Sequence, residues 1–176
     1  EVISLIMKQN FKPDLLIIDD NSPDGTYNKV QQMQKKFKNL FLIKRNGKLG
    51  LDTAHKEGYD FAKKNNYDYF ITMDADFSHD PSELPNFVKN LNNFPIVLGS
   101  RYVTGGNCLM SGRRLIISKY GNKFMKFIFK FDCNEFTTSY RGFNLKKLND
   151  FHLNLIKTKG YSFFMGTIYE IFKKGF

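Results

Sequence analysis

Carboxylates gather twice in this sequence directly behind a short apolar run. Leu15-Leu16-Ile17-Ile18 leads into Asp19-Asp20-Asn21-Ser22-Pro23-Asp24-Gly25-Thr26, and Tyr69-Phe70-Ile71-Thr72-Met73 leads into Asp74-Ala75-Asp76-Phe77-Ser78-His79-Asp80-Pro81. Acids at the end of a buried strand can accept hydrogen bonds from a base or a ribose. Two carboxylates spaced two apart can also hold a hard divalent cation, because Mg²⁺ or Mn²⁺ takes oxygen ligands from one or two carboxylates plus substrate phosphates. A turn with a helix cap would account for Asp-Asn-Ser-Pro-Asp-Gly alone, and for Asp80 ahead of Pro81. It leaves Asp74 and Asp76 without a reason.

Arginines follow downstream at Arg101, Arg113, Arg114 and Arg141. Guanidinium groups bind phosphate oxygens in bidentate fashion, so a carboxylate-held metal facing several arginines describes a site for a phosphorylated donor, a phosphorylated acceptor, or both. Lys48-Leu49-Gly50 is a further phosphate or turn candidate. His55, His79 and His152 are scattered without a Ser-His-Asp or Cys-His pattern, and each reads as structural.

The elements that must position these groups show in the hydrophobic pattern. Apolar runs begin at Leu15, Leu40, Tyr69 and Pro95, at intervals of 25 to 29 residues, the length of a strand plus a returning helix. Their hydrophobicity is continuous, which marks strands covered on both faces. Thr26–Lys38, Thr53–Asn65 and Ser82–Leu91 supply the helices, and the opening residues 1–7 also read as helix. Repeated βα units predict an α/β fold with a mostly parallel sheet, ligands lying beyond the carboxyl ends of the strands. After Arg101 the pattern changes to a Gly-rich loop, Thr104-Gly105-Gly106-Asn107, and then to Arg113–Phe131. There Ile116, Tyr120, Phe124, Phe127, Ile128 and Phe131 recur at helical spacing, as do Lys119, Lys123, Lys126 and Lys130. Two readings of this helix stand: one that lies on a membrane surface, and one packed on the core with a solvated lysine face.

The chain of 176 residues suits one domain, and 41% hydrophobic residues suffice for a core. Its net charge of +10 admits nucleic acid, an anionic membrane or a phosphate-rich substrate as partner. Cys108 and Cys133 are too few for a disulfide framework, which makes a reducing compartment the default. No apolar run approaches the roughly 20 residues that span a bilayer.

Taken in order, Asp19–Thr26, Lys48–Ala54, Met73–Pro81, Gly99–Gly106, Arg113–Ser118 with Asn122, Thr137–Phe143 and Gly160–Phe163 resemble the polyprenol-phosphate mannosyltransferases, family 2 glycosyltransferases of GT-A fold. The resemblance implies an inverting transfer of mannose from GDP-mannose to the phosphate of dolichyl or undecaprenyl phosphate. It places Asp19, Asp20, Asp24, Lys48, Asp74 and Asp76 at the nucleotide-sugar donor, and Asp74, Asp76 and Ser78 at a divalent metal, Mg²⁺ or Mn²⁺. It also places Arg101, Arg114, Ser118 and Arg141 at the acceptor phosphate, and makes Asp76 and these three arginines the catalytic set. The partners it implies are a nucleotide-sugar donor, a polyprenyl phosphate lipid, a membrane surface and a membrane-anchoring domain or subunit, at the cytoplasmic face of a membrane and without nucleic acid. Relatives open with a strand ahead of the first helix here, so residues 1–176 are expected to be a catalytic domain lacking that strand and a C-terminal extension. Phe164 and Gly166 stand where relatives carry Gln and Glu, and Glu135 where Asp is common. One alternative keeps the fold and transfers another sugar, such as glucose from a UDP-sugar; a distant one is a basic nucleic-acid-binding module.

Overall fold

All four apolar runs form strands, as their continuous hydrophobicity predicts. The computed structural model describes residues 1–103, 112–130 and 133–176. After a short helix, α1 (Val2–Met7), strand β1 (Leu15–Asp19) passes through helix α2 (Thr26–Gln34) to strand β2 (Leu40–Lys44). The two strands pair in parallel, Leu15 opposite Leu40 through Asp19 opposite Lys44, as one βαβ unit should. Helix α3 (Leu51–Lys64), strand β3 (Tyr69–Thr72), helix α4 (Leu84–Leu91) and strand β4 (Ile96–Leu98) continue the alternation. The expected helix Ser82–Leu91 opens as a 3₁₀ turn, Pro81–Glu83, which Asp80 caps by accepting from the Ser82 amide at 2.8 Å.

One strand is not among the four runs. Strand β5 (Arg141–Asn144) inserts between β3 and β4 and runs antiparallel to both, so β3 and β4 point the same way without touching. Gly142 lies within it, and a Cβ there would lie 2.8 Å from Leu91 and 3.0 Å from Phe87, so any side chain would force these residues of the helix packed over the sheet to shift. Helix α5 (Gly112–Phe129) precedes β5, and helix α6 (Tyr161–Lys173) ends the chain.

Tyr59 anchors the main core. It is fully buried, its ring meets Phe143, Phe70 and Phe151 edge-on at 5.7, 5.8 and 6.4 Å, and its hydroxyl donates to the Phe151 carbonyl at 3.0 Å. Burial pushes that phenol well above its ordinary value. A second cluster joins Val2 and Ile6 of α1 to Leu84, Phe87 and Tyr140.

The two sheets share no strand pair among the described residues. Between them lies a cavity of about 370 Å³, lined by all of Leu15–Ile18 and all of Tyr69–Thr72, with α1 and α3 contributing Ile3, Ile6, Gly58 and Phe61. A pocket on one face of a strand meets every second residue. One that meets every residue of two strands lies along their edges, in the plane of the sheet.

Candidate active site

Both acid groups sit where a strand ends and the chain must turn, and each turn contains a residue in the left-handed region, Asn21 at φ 60° and Phe77 at φ 63°. For Phe77 that conformation costs about 1–2 kcal/mol. It folds the loop back on itself, so that the Ser78 amide donates to Asp76 Oδ1 at 3.0 Å. Donation from Ser78, through hydroxyl and amide, keeps the exposed Asp76 carboxyl below the usual carboxylate value.

Asp74 is held from two sides. The Ser139 hydroxyl donates to its Oδ2 at 2.8 Å, and its own amide donates to His79 Nδ1, also at 2.8 Å. With Nδ1 accepting, the neutral imidazole carries its proton on Nε2, which lies 3.9 Å from Asp74 Oδ2. Burial keeps His79 below its ordinary value, and the Arg101 charge works in the same direction, against the pull of Asp74 and Asp76. The His79 ring stacks on Tyr140 at 4.8 Å, Tyr140 stacks on Phe87 at 4.4 Å, and the Tyr140 hydroxyl donates to the Asp80 carbonyl at 2.9 Å. A column of rings thus fastens the acid loop to α4. His79 thus has the structural role expected of it, bracing the acid loop.

At the end of β1, Asp19 is buried and accepts from the Ser22 amide at 3.2 Å. Asp20 is paired with Arg45, a buried guanidinium that also donates to Thr53 Oγ1 at 2.7 Å. Sequence reasoning missed Arg45. The signal lay in its position: in parallel strands of matched register, the residue after β2 falls beside the acids after β1. Asp24 accepts from the Thr26 hydroxyl at 2.7 Å and amide at 3.0 Å, which holds its carboxyl below the ordinary value, the capping geometry that the turn chemistry allows. Lys48 is exposed.

Two of the three arginines expected at phosphate, Arg101 and Arg141, have partners within the protein. Arg101 forks onto the buried Glu135 carboxylate, Nε to Oε2 and Nη2 to Oε1, each at 3.2 Å. Arg141 is fully buried and donates to the carbonyls of Thr138 at 2.7 Å, Phe164 at 2.9 Å and Phe136 at 3.2 Å, with the Phe164 ring 4.6 Å from its guanidinium carbon. The placement of Arg141 at the acceptor phosphate is therefore corrected here: it gathers three chain segments behind the site and presents no open face. Phe164 accordingly has a packing role. Ser118 receives the Tyr102 hydroxyl at 2.6 Å, and Asn122 accepts from the Phe136 amide at 2.8 Å, so both tie α5 to the site. The side chain of Arg114 and the loop at Gly105-Gly106 lie outside the described residues.

No three His, Cys, Asp or Glu side chains converge as a ready metal cage among the described residues. Asp74, Asp76 and Ser78 still fit Mg²⁺ or Mn²⁺ chemically. They offer two carboxylates and a hydroxyl, all hard oxygen donors, in one loop, the incomplete shell that substrate phosphates and water fill.

Comparison with known proteins identifies the family. The family model described as Glycosyl transferase family 2 matches residues 1–151. The chain is 30% identical over 165 residues to a polyprenol monophosphomannose synthase of Mycolicibacterium smegmatis, covering 92% of this chain and 62% of that protein. It is 31% identical over 151 residues to an undecaprenyl-phosphate mannosyltransferase of Micrococcus luteus, covering 85% of this chain and 62% of that protein. It thus spans about three fifths of the length of these curated relatives.

Proposed function

Because the chain belongs to glycosyl transferase family 2, we propose that it carries the catalytic machinery for moving mannose from GDP-mannose to the phosphate of a polyprenyl lipid, with inversion at the sugar carbon. The observation that carries the proposal is the acid loop at the end of β3, with Asp76 kept ionised by Ser78 and Asp74 braced by Ser139 and His79. The names of the two relatives support the acceptor and the sugar.

The chemistry asks for a held diphosphate and an anionic nucleophile. An acceptor phosphate oxygen attacks the sugar carbon from the face opposite the nucleotide; one C–O bond forms as the bond to the departing diphosphate breaks. A phosphate monoester is already largely ionised at neutral pH, its second pKa being about 6, so no side chain has to remove a proton. This accords with a site whose histidine accepts a backbone hydrogen bond. Asp19 and Asp20 are assigned to the nucleoside; the bond of Asp19 to the Ser22 amide and the pairing of Asp20 with Arg45, which orient both carboxylates, support this. Asp74, Asp76 and Ser78 would hold the divalent ion, which supplies charge to offset that on the departing diphosphate. Arg141, behind the loop, acts as a positioning residue, while Arg101, oriented by Glu135 and about a third exposed, and the exposed Lys48 are the described cations assigned to phosphate.

Transfer of radiolabelled mannose from GDP-mannose to polyprenyl phosphate tests this on the full-length protein, with and without Mn²⁺. Asp76→Ala is expected to lower turnover by about 10²- to 10³-fold, the scale for losing one electrostatic stabiliser of the transition state. Unchanged turnover would remove Asp76 from the machinery, and transfer from UDP-glucose instead would replace the sugar.

A further inference from the structure

Residues 135–139 lead into strand β5, and both ends of this short segment touch the site. Glu135 takes the Arg101 fork at one end, and Ser139 reaches Asp74 at the other. The backbone between them is pinned almost residue by residue. The Phe136 amide is held by Asn122, the Thr137 hydroxyl donates to Glu135 Oε1 at 3.0 Å, and the Tyr140 amide donates to Thr138 Oγ1 at 3.0 Å. Arg141 holds the carbonyls of Phe136 and Thr138 from behind. The buried Ser139 is thus presented from a fixed chain, so little ordering entropy offsets the bond its hydroxyl makes.

That hydroxyl is not needed to fasten the strands. The Thr72 hydroxyl already donates to the Ser139 carbonyl at 2.6 Å, and the ladder pairs Thr72 with Arg141 just beyond it. With the backbones joined in this way, the Ser139 hydroxyl is available to act on a side chain, and the one it meets is Asp74. Its bond falls on Oδ2, the oxygen that also lies 3.9 Å from His79 Nε2. Among the described residues no hydrogen bond is directed at Oδ1, and the Asp74 side chain is 40% exposed. One oxygen of the carboxylate is committed to the protein, and the other is left for a ligand.

We propose that Ser139 is a positioning residue for the divalent cation, fixing the Asp74 carboxylate through Oδ2 and leaving Oδ1 to the ion. Carboxylates that ligate a metal are themselves hydrogen-bonded, and removing such an outer partner typically weakens metal binding by about 10- to 100-fold. The proposal rests on the transferase reading, in which Asp74, Asp76 and Ser78 hold that ion. It adds a residue from outside the acid loop, 65 positions further along the chain, on which the affinity for the ion depends.

Binding of Mn²⁺ to the full-length protein in the presence of GDP tests it, read from the paramagnetic resonance signal of the unbound ion. Ser139→Ala is expected to weaken binding by about tenfold. In the mannose-transfer assay the Mn²⁺ concentration for half-maximal turnover should rise by the same factor, with turnover recovered at saturating Mn²⁺. Thr72→Val removes the bond to the Ser139 carbonyl and spares the Ser139 hydroxyl; it should lower the thermal midpoint and leave the Mn²⁺ affinity as in the parent. Asp76→Ala should abolish binding. Undiminished affinity in Ser139→Ala beside its loss in Asp76→Ala would overturn the role of Ser139 and leave the transferase reading standing. Equal weakening by Thr72→Val and Ser139→Ala would also overturn it, since the tie between strands would then be the cause. Binding unchanged in all three variants would overturn both the role of Ser139 and the metal assignment beneath it.

Discussion

His55 occupies a place where an imidazole cannot afford its charge. It is buried against the rings of Phe163 and Phe164, at 5.9 and 5.1 Å, and burial first, then the Arg141 charge, hold its pKa down to about 3. Its Nδ1 has no hydrogen-bond partner among the described residues. Between about pH 6.5 and about pH 3 the unfolded chain binds a proton there that the native chain refuses, so stability falls as pH falls through that window. The slope from this one group is at most about 1.4 kcal/mol per pH unit. Urea denaturation across pH 4 to 7 should show it, and His55→Leu should flatten it; an unchanged slope would exonerate His55. Legibility divides at this scale too. The types and spacing of Asp74 and Asp76 showed in the sequence that two carboxylates share one loop after a strand. The burial of Arg141 was hidden, since its carbonyl partners at Phe136, Thr138 and Phe164 come from segments that only the fold brings together.

Among the elements, β5 shows why a pattern of apolar runs is incomplete. Arg141-Gly142-Phe143-Asn144 offers one large apolar residue in four, yet it is the central strand of its sheet. Three features replace hydrophobicity there: the Arg141 guanidinium is satisfied by carbonyls, Asn144 donates to the Leu91 carbonyl at 2.8 Å, and Gly142 admits Leu91 and Phe87. Gly142→Ala should therefore cost about 1–3 kcal/mol through overpacking, read as a lower denaturation midpoint with little change in slope. A midpoint within error of the parent would show that α4 can shift outward. The four legible strands were marked by their continuous apolar runs. Helix α5 was legible as a helix, but its orientation was not, because a repeat of three and four fixes which residues share a side and leaves open what that side meets.

At the scale of the whole molecule, two arginines, Arg45 and Arg141, are buried and organise the interior, while most of the positive charge is lysine spread over the surface. The α/β class was legible from the alternation of runs; the division into two sheets was not, since no residue marks a pairing that is missing. We read the cavity between β1 and β3 as room for one further strand in the whole protein. Its consequence for this chain concerns cooperativity. Strands joined by a hydrogen-bond ladder tend to open together, whereas these two sheets share no ladder among the described residues and meet through side chains and the helices packed on them. Native-state hydrogen exchange should therefore resolve two units, with the amides of Leu16 to Lys44 released at a lower free energy than those of Phe70 and Phe143. In a form lengthened upstream the two levels should merge into one. Two levels persisting there, or a single level already present in the shorter chain, would mean that the cavity is a finished part of the fold.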